Sequence, residues 1–145
     1  MIQIIVGTET GTAEYVADEL QALFEQNDLT AQVELAPNTN TLNSDDIWLI
    51  CTSTHGAGDT PANLNEFKQY LETASPDLSK LKFAVVGLGD SSYDTYCGAA
   101  VYFSEKLKDM GAQELITPIK ADAMSDELPE DIIINQLTPQ IDKFK

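Results

Sequence analysis

Residues 2–13 read IQIIVGTETGTA, an apolar run followed by a turn rich in threonine and glycine. Four apolar side chains then recur at the i, i+4, i+7, i+8 spacing of an amphipathic helix: Val16, Leu20, Leu23 and Phe24. A strand that passes through a short turn into a helix is the repeating unit of α/β proteins. The chain is therefore predicted to open with a strand over residues 2–6, a loop and a helix.

The alternation of apolar runs with helical patterns continues along the chain. Four more apolar runs predict strands, at residues 32–36, 47–51, 82–87 and 115–119. Apolar residues at helical spacing predict two further helices, at Leu64, Phe67 and Leu71 and at Phe103, Leu107 and Met110. Strands that alternate with helices are typical of a parallel sheet covered on both faces. We therefore predict an α/β protein.

Glycine and proline mark the ends of the later helices. Gly111 directly follows the apolar pattern of the third helix and is predicted to be its C-cap. Pro129 should open a last helix. Pro139 should kink that helix or restart it at Thr138, because a proline inside a helix removes a backbone hydrogen bond.

Length, composition and charge bound the class of protein. A chain of 145 residues with 43% apolar residues suits a single domain, residues 1–145. The chain has no run of about 18 apolar residues that could span a membrane, and its N-terminus lacks the basic flank of a signal peptide. We therefore expect a cytoplasmic protein. Cys51 and Cys97 lack metal-ligand spacing and are expected to be reduced thiols.

The chain is strongly acidic. Twenty-four acidic residues against eight lysines and no arginine give a net charge of −16. Such a surface repels nucleic acid and anionic lipid and attracts basic protein faces. We therefore expect no nucleic acid and no membrane as partners. Docking to a basic protein and simple solubility explain the charge equally well.

In parallel sheets, ligands bind beyond the carboxyl ends of the strands, so the loops after the first, third and fourth strands are the places to look. The first loop, GTETGTA at residues 7–13, leads into a helix N-terminus, where backbone amides favour an anion. Three threonine hydroxyls can add donors, and Gly11 permits close approach. The loop is neither a Walker A motif nor GxGxxG. It suits a single phosphate held without a metal, or a threonine-rich helix cap without a ligand.

The other two loops carry flat side chains. Residues 52–61 read TSTHGAGDTP and contain His55, the single histidine of the chain. Residues 87–98 read GLGDSSYDTYCG and carry Tyr93 and Tyr96. Tyr93 could be a stacking surface or a packed surface tyrosine.

In their order and spacing, these three loops resemble the FMN-binding loops of the flavodoxin family. STHGAGD at residues 53–59 and YDTYCGA at residues 93–99 are similar to the MioC-type short-chain subgroup, and no long insertion interrupts the fifth strand. The resemblance covers essentially the whole chain. It implies a flavodoxin-like three-layer sandwich, with a five-stranded parallel sheet in the order 2-1-3-4-5, and a monomeric FMN-dependent electron carrier.

The resemblance also implies which residues bind FMN. The phosphate loop corresponds to Thr8, Glu9, Thr10, Gly11, Thr12 and Ala13. The loop over one flavin face corresponds to Ser53, Thr54, His55, Gly56, Ala57, Gly58 and Asp59, and the third loop to Gly89, Asp90, Tyr93, Tyr96, Cys97 and Gly98. Many family members carry Trp or Tyr where this chain has His55. His55 is therefore expected to lie against the flavin, with a loop histidine without flavin contact as the alternative.

An electron-transfer function follows from the resemblance. Single low-potential electrons would pass from the basic face of an NAD(P)H-dependent flavodoxin or ferredoxin reductase to reductive or radical enzymes, biotin synthesis among them. Acidic residues in the flavin loops would lower the potential, and the Gly56 peptide could flip when the flavin is reduced.

Two other functions are compatible with parts of the sequence. A small FMN-dependent quinone reductase would use the same loops. A response-regulator receiver would share the strand order and end its fifth strand with a lysine, as Lys120 does here. The receiver also needs acidic residues after the first and third strands, where this chain has Gly7-Thr8 and Thr52-Ser53.

Overall fold

The computed structural model describes residues 1–8, 11–37, 42–54, 59–74, 76–90 and 97–145. Within these ranges, the strands and helices follow one another in the order β1 (Ile2–Gly7), α1 (Thr12–Gln26), β2 (Ala31–Glu34), β3 (Ile47–Ser53), α2 (Asn65–Thr73), β4 (Lys82–Gly89), α3 (Gly98–Asp109), β5 (Gln113–Glu114), β6 (Ile119–Asp122) and α4 (Pro129–Leu137). One 3-10 turn, Ala62–Leu64, precedes α2, and a second, Thr138–Phe144, follows α4.

All the strands run parallel in one sheet. The order is β2-β1-β3-β4-β5, and β6 also pairs with β4. The predicted strand order 2-1-3-4-5 is therefore confirmed, with β5 and β6 sharing the fifth position. Among the described residues, no helix has both the length and the apolar character that crossing a bilayer requires.

The predicted fifth strand, residues 115–119, is wrong in its bounds. The strand is split: β5 pairs Glu114 with Phe83, and β6 pairs Ile119 with Val86. Four residues, 115–118, lie between these two pairs, but only two residues of β4, 84–85, lie opposite them. The two extra residues must bulge out of the ladder. Pro118 has no N–H to donate to a ladder. Ile116 is buried in the core within this bulge.

Helices cover the sheet on both faces. On one face, Val6, Cys51 and Val86 of the strands pack in the same cluster as buried residues of α1 and α4. On the other face, Ile50 and Val85 belong to the cluster that includes α2 and α3. Burial on both sides removes apolar surface from water, which is the main favourable term in folding. The three-layer sandwich is confirmed.

The helix ends follow the glycine and proline signals. Gly111 adopts a φ of +94°, its N–H donates to the Lys108 carbonyl at 3.0 Å, and the Ala112 N–H donates to the Leu107 carbonyl at 3.0 Å. These two bonds form a Schellman motif and confirm the predicted C-cap. The helix that opens at Pro129 gives way to a 3-10 turn at Thr138, as predicted.

Candidate functional site

Four strands end side by side at the carboxyl edge of the sheet. Gly7 pairs with Thr52, Thr52 with Gly87, and Gly87 with Lys120. A Cβ on Gly7 would lie 2.3 Å from Thr52 Oγ1, and a Cβ on Gly87 would lie 2.7 Å from the Ala100 Cβ. Both positions therefore require glycine. The three predicted ligand loops leave the sheet from this one row.

The first loop ends in a helix N-terminus without a side-chain cap. Gly11 is the N-cap of α1 with a φ of +90°, and Tyr15 is the first residue whose N–H bonds back to it, at 3.0 Å. The helix itself supplies no carbonyl acceptor for the N–H groups of its first turn, such as that of Ala13. The helix dipole adds partial positive charge there. This donor set fits a phosphate.

Thr8 shapes the turn that precedes this helix. Its Oγ1 accepts a hydrogen bond from the Gly11 N–H at 2.9 Å. A Cβ on Gly11 would meet no atom within 4 Å, so the space beside the cap is open. The N-cap thus leaves room for an anion at the N-terminus of α1. Glu9 and Thr10 lie outside the described residues.

Asn63 is hydrogen-bonded to the backbone of the first loop, although the sequence did not predict it as a site residue. It lies in the 3-10 turn that follows the second loop. Its Oδ1 accepts from the Thr8 N–H at 3.0 Å, and its Nδ2 donates to the carbonyls of Val6 at 2.6 Å and Leu35 at 2.9 Å. No sequence spacing signals these contacts, because the partners lie 55, 57 and 28 positions away.

The start of the second loop touches the first loop and the first turn of α3. The Ser53 Oγ donates to the Gly7 carbonyl at 3.3 Å. The Thr54 Oγ1 accepts from the Ala99 N–H at 3.3 Å. The structure thus brings the predicted residue Ser53 against the first loop, and Thr54 against the start of α3, directly after the third loop. Asp59 is exposed. His55, Gly56, Ala57 and Gly58 lie outside the described residues.

The third loop begins and ends at adjacent points. A Cβ on Gly89 would lie 2.9 Å from the backbone nitrogen of Cys97 and 2.9 Å from its Sγ. Cys97 is buried, has a φ of +53° and is the N-cap of α3, which starts at Gly98. The end of β4, where Asp90 follows, is therefore packed against the start of α3. Tyr93 and Tyr96 lie outside the described residues.

Both cysteines are buried, and neither forms a disulfide. The Cys51 thiol donates to the Ala13 carbonyl at 3.6 Å, and burial raises its pKa to about 12. It remains a neutral thiol that packs α1 against β3. Within the ranges that the structure describes, no three His, Cys, Asp or Glu side chains lie close enough together to hold a metal ion.

The surface beside the α1 end of the site is acidic with exposed apolar side chains. The charges of Glu19 and then Glu130 raise the pKa of the exposed Tyr15. Met124 and Leu128, in the segment between β6 and α4, are 63% and 59% exposed. Negative charge and exposed apolar groups together are features of docking surfaces.

Comparisons with known proteins give a consistent result. The family model for flavodoxins matches residues 4–134. Protein MioC of Escherichia coli K12 is 38% identical over 130 residues, which cover 90% of this chain and 88% of MioC. The flavoprotein alpha-component of NADPH sulfite reductase from Thiocapsa roseopersicina is 36% identical over 118 residues, 79% of this chain but 23% of that longer protein.

A solved structure agrees with the sequence matches. A mutant of the flavodoxin from Pseudomonas aeruginosa is similar with a TM-score of 0.89 and 29% identity. The match covers 99% of this chain and 97% of that one.

Proposed function

Because the chain belongs to the flavodoxin family of FMN-binding electron carriers, we propose that it passes single electrons at low potential from an NAD(P)H-dependent reductase to acceptor enzymes. The observation that carries this proposal is the convergence of three loops at one sheet edge, beside an open helix N-terminus. The similarity to a component of NADPH sulfite reductase supports a reductant of the NAD(P)H class.

The FMN phosphate would bind at the start of α1, and the flavin ring would lie between the second and third loops. Thr8, Gly11, Thr12 and Ala13 would hold the phosphate, with Glu9 and Thr10 proposed from the sequence alone. Ser53, Thr54, Asp59, Gly89, Asp90, Cys97 and Gly98 would border the ring. From the sequence we propose His55, Gly56, Ala57, Gly58, Tyr93 and Tyr96 as further contacts.

Bound FMN supplies the one-electron chemistry. The chain binds it, orients it and sets the charge around it. A carboxylate about 10 Å from an added negative charge costs up to about 1.7 kcal/mol at an effective dielectric of about 20, or about 70 mV for one electron. Asp59 and Asp90 carry such charges in the second and third loops. These charges would favour a low potential.

The acidic surface at the carboxyl edge of the sheet would dock first with the basic face of a reductase and then with the basic face of a reductive or radical acceptor enzyme.

With the protein reduced by dithionite, electron transfer to a basic acceptor such as cytochrome c should slow about fivefold as salt rises from about 0.05 M to about 0.5 M. Over this range the Debye length falls from about 13 Å to about 4 Å, so the attraction between exposed charges is progressively screened. Stopped-flow absorbance measures the rate.

Paired charge variants separate docking from solubility. Asp126→Asn with Glu127→Gln neutralises two exposed acids beside the site, and Asp28→Asn with Asp45→Asn neutralises two exposed acids at the opposite edge. The first pair should flatten the salt profile and the second should leave it unchanged. Equal profiles for both pairs would show that the charge serves solubility only.

Steady NADPH oxidation without an added reductase would favour the quinone-reductase alternative.

A further inference from the structure

Asn63 closes a gap between two strands of the sheet. The last pair between β1 and β2 is Ile5 with Glu34, but β1 continues to Gly7 beside β3. Beyond Ile5, β1 therefore has no strand beside it on the β2 side within the described residues. The Asn63 side chain occupies this position and bonds to Val6 and Leu35.

An amide is the side chain that this position requires. The Nδ2 group uses both hydrogens on two carbonyls, while Oδ1 accepts from the Thr8 N–H. Only an asparagine or glutamine side chain offers two donors and an acceptor in this form. An aspartate would set its oxygens against two carbonyls, and an apolar side chain would leave all three backbone groups without this partner.

The contacts form a chain that ends at the phosphate loop. Asn63 holds the Thr8 backbone, and the Thr8 hydroxyl in turn holds the Gly11 amide at the cap of α1. Asn63 itself lies in the 3-10 turn after the second loop. It therefore connects the exit of the second loop to the helix end that suits an anion.

We propose that Asn63 is a positioning residue for the FMN phosphate. It acts through Thr8 and Gly11 and does not touch the flavin ring. The proposal rests on the FMN site described above. It requires that removing the amide weakens the binding of FMN more than the binding of riboflavin, which lacks the phosphate.

The test compares the two ligands in Asn63→Ala, Asn63→Ser and a control, Asn65→Ala. Asn65 is an exposed asparagine two residues away at the start of α2. Quenching of flavin fluorescence gives the dissociation constants, and urea unfolding shows whether each variant is folded. We expect Asn63→Ala to lose at least tenfold in FMN affinity but less than threefold in riboflavin affinity. Asn63→Ser, which keeps one donor and one acceptor, should lie between Asn63→Ala and the wild type.

Each other outcome has a defined meaning. Equal losses for FMN and riboflavin, or a loss in Asn65→Ala as large as in Asn63→Ala, would overturn the positioning role. Failure of both Asn63 variants to fold would do the same, because it would show a general structural role. A wild-type protein that binds no FMN would instead overturn the proposed function itself.

Discussion

Gly11→Asp is expected to weaken FMN binding about 100-fold. The new carboxylate would stand at the N-cap of α1, beside the anion. Two unit charges 4 Å apart repel by about 1 kcal/mol in water and about 4 kcal/mol at an effective dielectric of about 20. A phosphate ester carries close to two charges. We therefore expect a loss of about 2.7 kcal/mol in binding free energy, between these two limits, which is 100-fold in affinity. Fluorescence titration measures it.

Gly11→Asn is the matched control. Asparagine has nearly the shape of aspartate, and both residues tolerate a positive φ better than most side chains. A Cβ at Gly11 meets no atom within 4 Å, and the backbone strain of a side chain at a φ of +90° is shared by both variants. Gly11→Asn should therefore lose much less FMN affinity than Gly11→Asp, and neither should change riboflavin affinity much. Equal FMN losses in both variants would argue against a phosphate at this helix end.

Gly7→Ala is expected to destabilise the fold by about 2–3 kcal/mol, the upper part of the range of about 1–3 kcal/mol that is typical of overpacking a core. Its Cβ would lie 2.3 Å from Thr52 Oγ1 and 2.7 Å from Leu64 Cδ1. Gly7 and Thr52 are paired in the two central strands, so the backbones cannot separate cheaply. Urea unfolding followed by circular dichroism gives the free energy.

Thr52→Ala provides the control for this steric explanation. It removes the hydroxyl that Gly7→Ala would strike, together with the hydrogen bond from Oγ1 to the Ser53 carbonyl at 2.8 Å. The double variant should therefore be more stable than the sum of the two single effects predicts, by at least about 1 kcal/mol. Additive effects would mean that the contact with Thr52 is not the cause.

Local patterns in the sequence were sufficient to predict most of the fold. Apolar runs gave the strands, and their buried faces are the ones that pack in the two clusters. The fifth strand was misplaced because Leu115 to Ile119 is apolar enough to suggest a strand throughout. Pro118 and the buried Ile116 break the ladder there, and the pairing of β4 with two short strands depends on contacts distant in the sequence.

The candidate site was predictable to a different extent. The sequence motifs predicted the loops, and the structure brings the described residues Ser53, Thr54 and Gly89 to one edge, next to the turn that Gly11 closes with Thr8. Asn63 could not be predicted because its role lies entirely in long-range hydrogen bonds to backbone groups. A side chain that serves as a substitute strand partner has no periodicity and no local signature.

The most direct test of the FMN site is a comparison of backbone amide NMR spectra with FMN and with riboflavin. FMN should shift the amide signals of Gly11, Ala13 and Gly89 and leave those of Ile47 and Lys82, at the opposite edge of the sheet, unchanged. Riboflavin should reproduce the shift at Gly89 but not those at Gly11 and Ala13. FMN shifts centred on the Ile47 and Lys82 edge, or riboflavin shifts at Gly11 and Ala13 as large as those with FMN, would contradict the proposed site.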